Sequence, residues 1–307
     1  MKTLDFCKSY KYKIAATFGL FIFVFSIMIC LFSQQGQAQD VKPKQLKIVF
    51  IAYENPEQLV EDVKPIIAYL EKTLNMDIKH FIATDYAGVV EALRNETADM
   101  GFMGALQYVI AHKMAGAYPI LGEIYNGKST YISKIFVRRD SGIGNIKDLK
   151  DKSISFVDPI SSSGYMYPLD IFKQKGLIKN KDKAEQFFKK IYFSGGDEQA
   201  LRAVLNNFVD AAGIGQYAYN LLNYDERAEI VSIADSKPIP SHCVVVRKNL
   251  HQPTVEKLQE ALFSLNNESN RHLLKYLYSV DGYIKVTHDN YLEVEEIAKD
   301  YGFIKEK

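Results

Sequence analysis

The stretch "STYISKIFVRRDSGI", Ser129–Ile143, decides how the chain is laid out. Apolar and polar residues alternate along it, and β-branched and aromatic residues fill its first half, so it reads as a long β-strand. On either side of it the sequence runs through strand–helix units. A long strand between two such series carries the chain from one lobe into another.

Upstream, "LKIVFIAY" (Leu46–Tyr53) is a strand candidate, followed by an amphipathic helix in which Pro65 marks a kink or restart. "DIKHFIA" (Asp77–Ala83) is a second strand, and Asp85 is placed to cap a short helix after it. "DMGFMG" (Asp99–Gly104) is a third strand, leading into the helix "ALQYVIAHKMAG". This βαβαβα order argues for a mostly parallel sheet with helices on both faces. Downstream, the strand "ISFVD" (Ile154–Asp158), a helix to about Gln174, the strand "KIYFSG", the helix "DEQALRAVLNN", the strand "VDAAGIG" and the helix "QYAYNLLNY" form a second series. "SHCVVVRKNL" (Ser241–Leu250) is a strand that returns to the first lobe, and three helical segments close the chain. The expected fold is α/β with two lobes around a cleft, joined by two crossing strands. Residues 44–137 plus 243–307 form the first lobe and 138–242 the second.

The N-terminus is read separately. Four lysines precede Ile14–Phe32, which carries no charge, and Gly36 and Ala38 then occupy the −3 and −1 positions of a cleavage site. Residues 1–38 read as an export signal, or as an anchor if uncleaved. Removing them leaves 34 basic and 36 acidic residues, so no large basic field suits a nucleic acid. Cys243 is then the one remaining cysteine, which excludes an internal disulfide, and no Cys/His spacing suggests a metal.

Ligands of open α/β sheets bind beyond the carboxyl ends of strands, at helix N-termini. The loop "DPISSSGYMYP" (Asp158–Pro168) stands in such a place. Ser161, Ser162 and Ser163, with the free N–H groups of a helix start, could bind an oxyanion; equally, one of them could simply cap the helix. "SGGDEQAL" repeats the architecture, with Asp197 as the cap and glycines that either admit a ligand to the backbone or form a plain turn. The six histidines lack metal spacing, and His112 and His272 read as surface or packing residues. His242 beside Cys243 is weak evidence for a dyad. Tyr86 and Tyr131 lie near strand ends, where a phenol could donate to an anion.

"YENP" (53–56), "TDYAGVVEAL", "ADMGFMG", the run from Tyr131 through the serine loop, and "GGDEQALRAVLNNFVDAA" together resemble the phosphate/phosphite/phosphonate solute-binding proteins of ABC transporters. The resemblance covers about residues 46–250. It implies a type II periplasmic-binding-protein fold that closes like a clamshell. It also implies that Tyr86 and Tyr131 contact the ligand while Ser161, Ser162 and Ser163 grip its oxygens. Two departures stand out. Gly195-Gly196-Asp197 occupies the place of a common "SHD", so a histidine donor is missing. Tyr217 and His242 stand where aminoalkylphosphonate binders have acids, which argues against an amine-bearing ligand. Gly196, Tyr217 and His242 would then decide what is attached to the oxyanion, with His242 as a replacement donor. The resemblance implies an exported or periplasmic, monomeric, cofactor-free protein that delivers a small oxyanion or phosphonate to a membrane permease. A sensory domain of the same fold is the alternative; an enzyme is disfavoured because no nucleophile is matched to a base.

Overall fold

The computed structural model describes residues 45–51 and 56–305. The expected export segment, residues 1–38, and most of "YENP" lie outside the described residues. Strand β1 (Gln45–Ile51) is buried along almost its whole length. Leu46, Ile48 and Phe50 belong to one core, while Val49 and Ile51 belong to another. A strand whose alternate side chains enter two cores is covered on both faces, so β1 is central. It pairs in parallel with β2 (Asp77–Ala83) and β3 (Met100–Met103). Between β1 and β2 run α1 (Pro56–Asp62) and α2 (Lys64–Leu74); Pro65 at the start of α2 is the predicted restart. Asp85 caps α3 (Tyr86–Arg94), its carboxylate accepting from Gly88 N at 2.7 Å. Helix α4 (Ala105–Ala115) follows β3 directly.

The rest of this sheet departs from the sequence expectation. Its order is β13-β4-β12-β3-β1-β2, with β4 (Tyr118–Ile124), β12 (Cys243–Val246) and β13 (Gly282–Lys285). The returning strand β12 inserts antiparallel between β3 and β4, and β13 runs antiparallel to β4. The sheet is therefore mixed rather than mostly parallel. These pairings join residues far apart in sequence, and local periodicity carries no information about their direction.

The stretch Ser129–Ile143 does enter a second sheet, but in two pieces. Thr130–Tyr131 (β5) pairs with Ile239–Pro240 (β11) as a two-stranded ribbon. After Ile132, Ser133–Arg138 (β6) lies within a five-stranded sheet of order β10-β6-β9-β7-β8. Its other strands are β7 (Ser153–Phe156), β8 (Lys190–Phe193), β9 (Ala211–Gly215) and β10 (Ile230–Asp235). β10 went unread in the sequence, because "IVSIAD" is short and only partly buried. Helices α5 (Tyr167–Gln174), α6 (Ala184–Phe187), α7 (Asp197–Leu205) and α8 (Tyr224–Glu229) accompany this sheet. Residues Gln216–Leu221, expected to be α-helical, form a 3-10 turn.

Helices α9 (Gln252–Phe263) and α10 (Leu292–Asp300) close the chain. On α10, Glu295 is buried and paired with Lys113 at 2.8 Å, Lys299 at 2.7 Å and His288 at 3.0 Å. His112 stacks on His288, with ring centroids 4.1 Å apart, and so has the packing role expected of it.

Candidate functional site

The serine loop owes its shape to Gly164. A Cβ there would lie 2.3 Å from Val157 Cγ2 and 2.4 Å from Val157 Cβ, closer than any side chain tolerates. With glycine in place, the Val157 N–H donates to Gly164 O at 2.9 Å, and the chain winds through a π-helical turn (Ser162–Met166) into α5. Such turns are rare and recur at functional sites.

Each serine has its own task. Ser161 is the cap, accepting from Gly164 N at 3.0 Å. Ser162 Oγ accepts the Leu106 N–H at 2.8 Å, reaching from the five-stranded sheet's loop to the first turn of α4. The Ser163 carbonyl accepts from Ser133 Oγ at 2.6 Å. Capping thus falls to one of the three hydroxyls, that of Ser161.

These residues wall a cavity of about 220 Å³ between the two sheets' loops. Tyr86, Tyr131, Ser161, Ser162, Ser163, Asp197 and His242 all line it, as does Tyr217. Gly196 is not among the lining residues. It occupies the cap position of α7 in extended conformation, where the sequence had placed Asp197. Asp197 instead begins the helix, and its carboxylate accepts from Gly215 N at 2.8 Å on the neighbouring strand. A backbone donor distant in sequence outcompetes the local cap.

Residues without a sequence signal of their own complete the wall: Gln107, Glu123, Tyr125, Ser241 and Tyr278. Gln107 ties α4 to α3, its Oε1 accepting from Gly104 N at 2.8 Å and its Nε2 donating to Tyr86 O at 3.1 Å. Tyr217 packs against Tyr125, with centroids 4.5 Å apart, and lies nearly parallel to Tyr131. Tyr278 OH donates to Ile51 O at 3.0 Å, fixing the end of β1. The one hint for Glu123 was an acid inside the otherwise apolar strand "YPILGEI". Glu123 and Asp197 bring two carboxyl groups to the wall, so the loss of acids at Tyr217 and His242 does not leave the cavity without them.

The electrostatics are set by burial. Burial pushes the Tyr86 and Tyr131 phenols well above their ordinary range, so both keep their protons and can donate. Burial lowers His242 to about 4, leaving a neutral ring whose Nε2 stands 3.5 Å from Tyr131 OH. No Lys or Arg occurs among the described lining residues. Hydroxyls, phenols and a neutral imidazole converging on a small enclosed volume suit an oxyanion whose water has been removed.

Two α/β lobes with a polar cavity between them, linked by a short ribbon, define a type II periplasmic solute-binding architecture. The chain belongs to the family described as "ABC transporter, phosphonate, periplasmic substrate-binding protein", whose family model matches residues 48–291. It is 29% identical over 256 residues to the phosphonates-binding periplasmic protein of Escherichia coli, covering 81% of this chain and 73% of that one. It is 31% identical over 182 residues to the phosphate-import protein PhnD of Mycolicibacterium smegmatis, covering 58% of this chain and only 57% of the relative's length. Among solved structures, PhnD1 of Prochlorococcus marinus in complex with methylphosphonate superposes with a TM-score of 0.73 at 21% identity, over 86% of this chain and all of that one. The fold and the solute-binding role of the family are those the sequence led us to expect.

Proposed function

We propose that this chain captures a small phosphorus oxyanion, phosphate or a phosphonate, between its lobes and presents it as a monomer to an ABC permease. Residues 45–129 with 241–305, and residues 133–238, which keep all of β6 with its own sheet instead of dividing it at 137/138, would move as two bodies about the β5–β11 ribbon. The observation that carries the reading is the convergence of Ser161, Ser162, Ser163, Tyr86 and Tyr131 on one cavity of about 220 Å³, which is room for an oxyanion and a short substituent. Names of related proteins point to the same ligand class.

The test is a thermal-shift panel of phosphate, phosphite, methylphosphonate, aminoethylphosphonate, sulfate and carboxylates. A true ligand at one hundred times its dissociation constant adds about 2.7 kcal/mol. Absence of a shift with every phosphorus oxyanion would sink the reading. Product formation from phosphate or phosphonate esters would contradict the non-enzymatic role.

A further inference from the structure

Glu123 is an acid inside a strand that is otherwise apolar or aromatic. Its side chain lines the cavity and is only 5% exposed. Its Oε2 lies 3.7 Å from His242 Nδ1, too far for a hydrogen bond. Its Oε1 has no hydrogen-bond partner among the described residues.

Among the described residues, the titratable groups that surround it offer no positive charge. Tyr283 stands opposite it on β13. His242 and Cys243 come from the start of β12, Tyr131 from β5, Tyr278 from the turn before β13, and Tyr291 from the turn before α10. Burial keeps the tyrosines and the thiol protonated and His242 unprotonated, so every one of them is neutral near pH 7. An ionised carboxylate here would be desolvated without a cation. Burial accordingly pushes Glu123 up to about 8. A bound anion in the same cavity would oppose ionisation further.

We propose that Glu123 meets the bound anion as a neutral carboxylic acid and donates a hydrogen bond to one of its oxygens. The inference rests on the oxyanion reading above and deepens it. The pocket takes its anion wholly on neutral donors, one of which can be switched off by base. Above the point where free Glu123 ionises, binding must first restore the proton. Affinity then falls with rising pH.

The test is calorimetric titration with phosphite and methylphosphonate from pH 6 to 9.5, for wild type and Glu123→Gln. The ratio of wild-type to variant dissociation constants at each pH cancels the ligand's own ionisation. The amide keeps a donor at all pH values, so the ratio should stay constant to about threefold below pH 7.5. It should then climb toward about tenfold per pH unit well above pH 8. A flat ratio with binding intact in both proteins overturns this inference and leaves the oxyanion reading standing. A tenfold weaker Glu123→Gln at pH 6.5 also overturns it, because the carboxylate would then be an acceptor for a ligand O–H or ammonium. Failure of wild type to bind any phosphorus oxyanion overturns the oxyanion reading itself. Should the variant not fold, wild type alone decides the matter. Phosphite binding at pH 9, titrated in buffers of different ionisation enthalpy, should take up close to one proton per ligand, and no uptake would refute the proposal.

Discussion

Replacing Ser162 by alanine should loosen the closed protein before any ligand is added. Ser162 Oγ accepts the Leu106 N–H at 2.8 Å, and both residues are buried. Leu106 opens the α4 side of the cavity and Ser162 the α5 side, so the bond spans the cleft. In Ser162→Ala the N–H stays buried with the lobes closed but meets water once they part. The cost therefore falls on the closed state alone, at about 1–3 kcal/mol for an unsatisfied buried donor. That shifts the closed-to-open ratio about 5- to 150-fold toward open. Ser162 also lines the cavity, so weaker binding by itself would not isolate the effect. Small-angle scattering of the ligand-free protein does, and the variant should show a larger radius of gyration. Ser133→Ala is the control. Its hydroxyl bonds Ser163 O and Ile214 O within the five-stranded sheet's lobe, so it should lower stability without moving the lobes. A ligand-free Ser162→Ala of unchanged radius would refute the latch.

Two further outcomes follow from packing and charge. Gly164→Ala drives a Cβ to 2.3 Å from Val157, so the urea midpoint should drop by an amount worth about 1–3 kcal/mol or more. Adding Val157→Ala should cost less than the two single changes summed, and strict additivity would count against the clash. Burial raises the Glu295 carboxyl, but bonds from Lys113 and Lys299 outweigh this and bring it down to about 2. Its folded value lies below its unfolded value of about 4.3, so its contribution, on the order of 2–3 kcal/mol, is present above that pH and lost as pH falls toward 2. The melting-temperature gap between wild type and Glu295→Gln should shrink from pH 5 to pH 2.5; a constant gap would contradict the ion pairing.

Local signals were legible and long-range ones were not. Asp85 as a cap, Pro65 as a restart and the strand Asp77–Ala83 appear where the sequence puts them, because each depends on neighbours within a few residues. The crossing stretch at Ser129–Ile143 was read correctly as a connection, but its break at Ile132 depends on Ile239–Pro240, more than a hundred residues on. The antiparallel insertion of β12 is invisible for the same reason. In the site, hydroxyl-rich and aromatic positions after strands announced themselves. Glu123 did not, since one acid in a strand looks like a surface residue until the covering helices are in place. Asp197 reads as the cap of its helix because Gly215, its actual partner, is not visible beside it in the sequence.

The cavity's want of lysine and arginine bears on rates as well as affinity. A charged side chain draws a counter-ion from a Debye length away, about 8 Å at physiological ionic strength. Hydroxyls and phenols reach little beyond contact. Encounter with the proposed anion would then gain no attraction from the described wall. The grip forms only as water is squeezed out, and it dissolves once the lobes part by the width of a water molecule. On the function proposed above, a transporter that pries the lobes open would have no long-range attraction to overcome: opening the clamp and letting go of the cargo would be one event.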